Sequence, residues 1–246
     1  MSLSIKLRKF ILSGALNQAV CALIVLTQIG GHRPTTYSLL ASRDALSPIK
    51  VPSATSRELE FGAHDKAEFI SHLISRDIPK NQDALSIAKL IVSESAKHDV
   101  DPLLVTSIIR AESMFRHTAR SNRGALGLMQ IMPSTGAYLA KTIADDSIST
   151  SDLKDPEINI RLGVYYVARL LSRYQGDHNH ALVAYNWGPS NLARAKSQNL
   201  NYPEESVTYA NKVLKSYNEW SRELAQYKAA RYAIALVNQL GAIGRA

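Results

Sequence analysis

The sequence predicts an all-α fold, and three observations support this prediction. Beyond His64, apolar residues recur at the spacing that places them on one face of a helix. Asp101-Pro102 and Asp155-Pro156 are each typical of a helix start, because Asp caps the first turn and Pro fits where its missing N–H costs nothing. Alternating apolar runs and Asn-Gly turns, which would indicate strands and hairpins, do not occur in the chain.

Six helical segments follow from this pattern. The first begins near His64 and is broken at Pro79, and the last is a long region. Between them, Gly176 is typical of a helix stop, and Gly188-Pro189 is predicted to turn the chain. The remaining predicted segments run from about Asp83 to Lys97, from Asp101 to about Met114, from Asp155 to Gly176, from Asp177 to Tyr185, and from Glu204 toward Leu240.

The N-terminal part of the chain has a different composition. Residues 1–31 have a basic head followed by an uncharged stretch, which predicts a secretory signal peptide or, second, an uncleaved membrane anchor. Residues 32–63 contain scattered Pro, Ser and Thr without a sustained period, which predicts a linker. The predicted domain is therefore 64–246. The basic head consists of Lys6, Arg8 and Lys9.

Charge and cysteine content restrict the choice of partners and cofactors. The formal net charge is +8, which favours an anionic partner or merely serves solubility. Nucleic acid is the least favoured partner, because the basic residues are scattered and form no stripe. Cys21 is the only cysteine, so an internal disulfide is excluded. No Cys/His cluster has metal-ligand spacing, and we expect neither a metal nor an organic cofactor.

Three segments contain the candidate chemistry. Glu112 ends an apolar helical run, where burial would raise its pKa and make it a general acid. Taken alone, it is more often a surface Glu paired with Arg110 or Arg116, because most glutamates are solvated. The loop Gly124–Gln130 has glycines that allow close approach to a ligand. Tyr185-Asn186 offers an aromatic face and an amide to a sugar, although an aromatic at a helix end is more often core.

Together these segments resemble the catalytic domain of the soluble lytic transglycosylases, lysozyme-like enzymes that cut bacterial peptidoglycan. The resemblance covers roughly residues 84–215 in order and spacing. Met114 departs from it, since the family usually has Gly at that position. The matching residues are Asp101-Pro102, Ile109, Glu112-Ser113, Phe115, Ala119, Ser121, Gly124-Ala125, Gly127-Leu128-Met129-Gln130, Pro133, Asp155-Pro156, Asn159-Ile160, Gly163, Tyr166, Ala184-Tyr185-Asn186 and Gly188-Pro189.

The resemblance implies a lysozyme-like helical fold of the goose-type lysozyme and transglycosylase class, with Glu112 as sole catalytic acid and base. Ser113 is implied to hydrogen-bond near the reacting sugar, and Tyr209 to lie close to Glu112. The residues implied to hold the glycan are Met129, Gln130, Tyr185 and Asn186.

The resemblance implies a reaction that cleaves the MurNAc–GlcNAc β-1,4 bond, leaves 1,6-anhydro ends and needs no metal or organic cofactor. The absence of a second acid from these motifs agrees with this mechanism, since ordinary glycosidases need two. Two alternatives stay open: a lysozyme-type hydrolase of the same fold, and an inactive glycan-binding or assembly protein. The expected partner is the peptidoglycan glycan strand, in the periplasm or beyond, with inner-membrane anchoring if residues 1–31 are uncleaved. A dedicated cell-envelope or secretion assembly stays open, as does the role of residues 221–246.

Overall fold

The computed structural model describes residues 61–79, 83–144 and 148–243. The predicted signal peptide or anchor and nearly all of the predicted linker lie outside these ranges. Within them, residues 61–229 form one compact unit, and the end of the last helix beyond Ala229 belongs to a second unit.

The described residues form eight α-helices and one short 3₁₀ helix, which confirms the all-α prediction. Their only strand-like pairing is two isolated antiparallel bridges, from Arg120 to Leu126 and from Leu126 to Ile131. The helices are α1 (Ala63–Asp77), α2 (Ala84–Lys97), α3 (Pro102–Ser113), α4 (Pro133–Ala144), α5 (Pro156–Arg173), α6 (His178–Trp187), α7 (Pro189–Ser197) and α8 (Glu204–Ile243), with the 3₁₀ helix Thr150–Lys154 between α4 and α5.

Helix α3 is the most deeply buried element. Every residue from Leu103 to Ile109 is buried, so this helix is covered on all sides rather than on one face. The guanidinium of Arg110, the next residue, forms an ion pair with Asp77 of α1 at 2.7 Å and lies 5.1 Å from the Trp220 ring of α8. These contacts fix the C-terminal end of α3 between two other helices.

The helix starts follow the capping signals in the sequence. The Asp101 carboxylate accepts the Leu103 N–H at 2.8 Å, and Pro102 opens α3 as expected. Asp155 caps α5 in the same way, accepting from Glu157 and Ile158 at 2.9 and 3.0 Å.

The structure also contains helices that the pattern did not predict. These are α4, the 3₁₀ helix and α7. The 3₁₀ helix and α7 have five and nine residues, too few for a clear apolar repeat, whereas α4 is as long as α3 but contains Gly136, which weakens the helical pattern. Gly188, with a φ of +99°, separates α6 from α7 at the predicted turn, but Pro189 is also the first residue of α7, which the pattern did not predict. Pro fits this position since the first-turn N–H has no helical partner. Helix α6 extends two residues past the predicted end at Tyr185, to Trp187.

Helix α8 extends from Glu204 through Tyr209, Tyr217 and Trp220 and ends at Ile243. Its first half packs on the core: Trp220 is buried, and Arg76 of α1 forms an ion pair with Glu223 at 2.6 Å. In the described part of the chain, no helix is both long and apolar enough to cross a membrane.

Candidate active site

Glu112 lies in the last turn of α3, on the rim of the core. It is partly exposed, whereas the preceding turn of the helix is buried. Burial raises the pKa of this carboxyl from 4.5 to about 7, and the charge of Lys212 opposes the rise only in part. The exposed carbonyls at the helix C-terminus also disfavour a negative charge here. Glu112 can therefore hold a proton near neutral pH and still release it.

Tyr209 of α8 faces this carboxyl. Its hydroxyl lowers the pKa of Glu112, and Glu112 in turn helps to keep the pKa of Tyr209 well above its ordinary value, for which burial is the main cause. The contact is a weak one, because the Tyr209 oxygen is buried yet makes no hydrogen bond of standard geometry among the described residues. A buried hydroxyl without a strong partner is costly unless a ligand completes its bonding.

Tyr185 of α6 completes a group of three ionisable side chains with Glu112 and Tyr209. Burial, and then the nearby Glu112 charge, raise its pKa well above the ordinary tyrosine value. Its hydroxyl donates to the Met129 carbonyl at 2.7 Å, and its ring packs against Tyr166 of α5 with a centroid distance of 5.4 Å. Tyr185 thus links the catalytic candidate to the glycine-rich loop.

The glycine-rich loop is a tight double turn. Leu126 and Ile131 exchange backbone hydrogen bonds at 2.9 and 3.0 Å. The Gln130 amide donates to the carbonyls of Ala119 and Gly127 at 3.1 and 2.8 Å, which closes the turn from inside. The structure therefore gives Gln130 a loop-holding role beside the glycan contact that the resemblance implies.

Met129 is fully buried and points into α5 rather than toward solvent. A Cβ on Gly163 would lie 2.2 Å from the Met129 sulfur, so only glycine at that helical position leaves room for this side chain. Met129 therefore presents its backbone carbonyl, not its thioether, to the Tyr185 side of the site.

Asn159 of α5 anchors the same loop. Its carboxamide is buried and makes three hydrogen bonds: it accepts from the Met129 N–H at 2.7 Å, and donates to Leu126 at 2.9 Å and Leu153 at 2.7 Å. Gly127 lies so close that a Cβ there would be 2.3 Å from the Asn159 amide nitrogen, and its φ of +79° also favours glycine. The motif contained Asn159, but sequence reasoning assigned it no role in the site.

Two of the predicted site residues have other partners in the structure. The Ser113 hydroxyl is buried and donates to the Ile109 carbonyl of its own helix at 3.1 Å. Asn186 is exposed, and its carbonyl oxygen accepts from the Ser206 hydroxyl of α8 at 2.9 Å. Their contacts with a sugar remain predictions.

Helix α3 ends at Ser113, directly after Glu112, because the backbone turns at the next two residues. Met114 and Phe115 both have left-handed backbone conformations, with φ of +50° and +59°. Glycine adopts this conformation most readily at a helix C-terminus, which accounts for the glycine expected at position 114.

In the described part of the chain, no three His, Cys, Asp or Glu residues lie close enough together to hold a metal ion.

Comparison with known proteins places this arrangement in a family. Residues 89–206 match the model of the transglycosylase SLT domain. Over this range the chain is similar to SLT domains. The matched range contains Glu112, the glycine-rich loop, Asn159 and Tyr185, whereas Tyr209 lies just beyond it.

Similar sequences support the same family. The chain is 34% identical over 135 residues to a transglycosylase of Enterobacteria phage PRD1, covering 55% of this chain and 44% of that protein. It is 34% identical over 209 residues to the membrane-bound lytic murein transglycosylase C of Photorhabdus laumondii, covering 71% of this chain and 58% of the relative. The chain thus spans about half the length of these relatives.

A solved structure of a lytic transglycosylase shares the helical fold of this chain. The lytic transglycosylase Slt of Pseudomonas aeruginosa superposes with a TM-score of 0.52 at 24% identity, over 70% of this chain and 32% of that protein. The predicted fold class is therefore confirmed in its lysozyme-like form as well.

Proposed function

We propose that this protein is a lytic transglycosylase that cleaves the MurNAc–GlcNAc β-1,4 bond of peptidoglycan and leaves 1,6-anhydro-MurNAc ends. The observation that carries the proposal is the state of Glu112: a single carboxyl with a pKa of about 7, beside a buried tyrosine hydroxyl that lacks a strong partner. The SLT domain and the names of its relatives, which include lytic murein transglycosylases, support the same substrate.

In this reaction Glu112 acts twice. It first donates its proton to the glycosidic oxygen, and the bond between C1 of MurNAc and that oxygen breaks. The substrate's own N-acetyl group stabilises the electron-poor C1. The Glu112 carboxylate then takes the proton of the C6 hydroxyl, whose oxygen bonds to C1 and closes the anhydro ring. The proton balance is zero, and no water is consumed.

The surrounding residues would support these two steps. Tyr209 would complete its hydrogen bonding with a sugar oxygen next to the reacting bond, since its own contact with Glu112 is weak. Ser113, Gln130, Tyr185 and Asn186 would hold the glycan, and Met129 would shape the wall through its backbone. Besides burial, the side chains that change the pKa of Glu112 are a tyrosine and a lysine. No carboxylate is among them, so the proposed reaction uses no second carboxylate as nucleophile or base.

A hydrolase of the same fold would need a group that activates water. Of the candidates in the sequence, Asp155 has its carboxylate engaged at the start of α5, while Asp145 and Asp146 lie outside the described residues. These contacts argue against Asp155 as the group that activates water, and the product analysis below decides between the two reactions. An inactive glycan-binding protein would have no use for a carboxyl whose pKa is raised to neutrality, a change that costs folding stability.

Digestion of purified sacculi in heavy-oxygen water tests the proposal. We expect unlabelled 1,6-anhydro ends by mass spectrometry, lighter than reducing ends by one water. Reducing ends labelled with heavy oxygen as the main product would show that water is the nucleophile. No soluble product from a folded protein would favour the binding function.

We also propose export to the periplasm, because the substrate lies outside the inner membrane and residues 1–31 have the composition of a signal peptide or anchor. A fusion of residues 1–60 to a reporter that works only outside the cytoplasm should be active. A fusion that is expressed but inactive would reject export by this segment.

A further inference from the structure

A serine of α8 holds one end of the Asn186 side chain. Ser206 lies in the first turn of α8 and is buried, with only 3% of its surface exposed. Its hydroxyl donates to the side-chain oxygen of Asn186 at 2.9 Å. Asn186 itself is exposed and follows Tyr185, which lies close to Glu112. The sequence motifs assigned no role to Ser206.

The hydrogen bond between Ser206 and Asn186 has one favourable direction. The Ser206 hydroxyl has a single proton, and the Asn186 oxygen is its only acceptor among the described residues. If the carboxamide turned over, its nitrogen would face the hydroxyl, and a buried proton would lose its partner. The serines of α3 donate instead to carbonyls of their own helix. Ser206 has no complete helical turn before it, and its hydroxyl bonds across to α6.

This direction decides what Asn186 can offer to a ligand. Its oxygen is engaged by Ser206, whereas its two N–H groups have no hydrogen-bonding partner in the described part of the chain. The exposed end of the carboxamide is therefore a donor. A sugar hydroxyl can bond to either end of a carboxamide, but an acyl carbonyl oxygen can only accept and needs the nitrogen end.

The same contact joins the two helices that carry the tyrosines of the site. Tyr209 lies three residues after Ser206 and therefore on the same face of α8. Its hydroxyl is buried without a hydrogen bond of standard geometry, and it faces Glu112. Asn186 lies directly after Tyr185 in the last turn of α6. The bond from Ser206 to Asn186 thus connects α6 with α8 beside the proposed catalytic centre.

We propose that Ser206 is a positioning residue, which fixes the Asn186 carboxamide so that its N–H groups face the glycan and donate to an acyl carbonyl oxygen. The inference rests on the proposed function and deepens it, because it identifies what orients one of the glycan-holding side chains. Ser206 acts through Asn186 and takes no part in proton transfer. Its removal should therefore change glycan binding and leave the chemical step unaltered.

The first test measures cleavage of glycan strands from which an amidase has removed the peptides. In Ser206→Ala the Asn186 side chain regains about three χ1 wells and two amide orientations, so the competent fraction falls to about one sixth and KM rises by up to about 6-fold. We expect kcat to stay unchanged. An unchanged KM in Ser206→Ala would overturn the inference.

Ser216→Ala is the matched control. It removes another buried hydroxyl from α8, one that accepts from Arg110 at 3.1 Å away from the proposed site. KM in this variant should match that of the wild type. An equal rise of KM in Ser216→Ala would show that any buried hydroxyl of α8 has the same effect, and would also overturn the inference.

A double-mutant cycle separates orientation of the carboxamide from general packing. Asn186→Ala should raise KM by up to about 10-fold, the loss of one hydrogen bond. Adding Ser206→Ala to Asn186→Ala should change nothing further, because no carboxamide is left to orient. Asn186→Asp can accept from Ser206 but offers no donor, and it should bind no better than Asn186→Ala. An equal effect of Ser206→Ala in both backgrounds, or wild-type KM in Asn186→Asp, contradicts the inference.

Two measurements without turnover distinguish a failure of this inference from a failure of the proposed function. In a Glu112→Gln background, isothermal titration with the same strands should show the loss of up to about 6-fold for Ser206→Ala, even if the wild type cleaves nothing. In the free protein, the side-chain carbonyl ¹³C resonance of Asn186 should shift in Ser206→Ala and stay in place in Ser216→Ala. Unchanged affinity, or an unshifted resonance in Ser206→Ala, would overturn the inference.

Discussion

Helix α3 has a carboxyl group at each end, and each of the two faces a tyrosine of helix α8. At the N-terminal end, Asp101 accepts the Leu103 N–H at 2.8 Å and the Tyr217 hydroxyl at 2.9 Å. At the C-terminal end, Glu112 has only the weak contact with Tyr209, and burial makes its carboxyl less solvated than that of Asp101. The two pairs contain the same chemical groups.

The difference between the two ends lies in the solvation and hydrogen bonding of the acid. Asp101 is exposed and accepts two good hydrogen bonds, one of them from the helix N-terminus, where a negative charge is favoured. Glu112 loses water without gaining equivalent donors, so its charged form is disfavoured. We therefore propose that Glu112 can act as an acid because the fold gives its carboxyl few hydrogen-bond donors. Both carboxyls face a tyrosine, so the neighbouring residue type does not explain the difference.

The largest expected effect is on activity. Glu112→Gln should fold and lose cleavage by about 10²- to 10⁴-fold or more, because an amide cannot donate the required proton. Asp101→Asn keeps a capping side chain and should retain activity close to wild type. Muropeptide release per folded molecule measures both. A large loss of activity in Asp101→Asn, or normal turnover by Glu112→Gln, would contradict the proposal that only the C-terminal carboxyl takes part in catalysis.

The second effect is on stability, with opposite signs at the two ends. The unfolded Glu112 releases its proton near 4.5 and the folded one near 7, so the stability of the wild type falls as the pH rises through this window. Glu112→Gln has no such proton. Its stability relative to wild type should therefore increase by up to ~3 kcal/mol between pH 4 and pH 8.

Asp101→Ala should instead lose about 0.5–2 kcal/mol, because the first turn of α3 loses its cap. Urea unfolding of both variants at the two pH values measures these differences. If Glu112→Gln is no more stable than the wild type at pH 8, folding does not raise the pKa of the Glu112 carboxyl.

The sequence was enough to propose Glu112 as the catalytic residue, but the surroundings of this side chain could not be predicted. Motif order and an apolar helix were enough to single out Glu112, and the helix starts at Asp101 and Asp155 followed from local capping rules. The role of Asn159 could not be predicted, because its three partners come from segments 6 to 33 residues away in the chain. The direction in which Met129 points likewise depends on the space above Gly163.

The smallest expected effect is a shift in the pH dependence of kcat/KM. The Tyr209 hydroxyl lowers the pKa of Glu112, so Tyr209→Phe should move the high-pH fall of kcat/KM to higher pH, by about one unit or less. The midpoint is the readout, since the loss of a sugar contact would also lower the amplitude. Tyr217→Phe, the equivalent change at the other end of α3, should leave the midpoint where it is. A midpoint that moves to lower pH in Tyr209→Phe would contradict the assigned geometry.

The most direct test of the account is the titration of Glu112 itself. Its side-chain carboxyl ¹³C resonance, assigned by its disappearance in Glu112→Gln, can be followed by NMR from acidic to alkaline pH in the folded protein. The proposed mechanism requires a midpoint of about 7, equal to that of the high-pH limb of kcat/KM. A midpoint at or below the ordinary value of 4.5 would mean that the carboxyl is ionised at neutral pH, and Glu112 could not then supply the first proton.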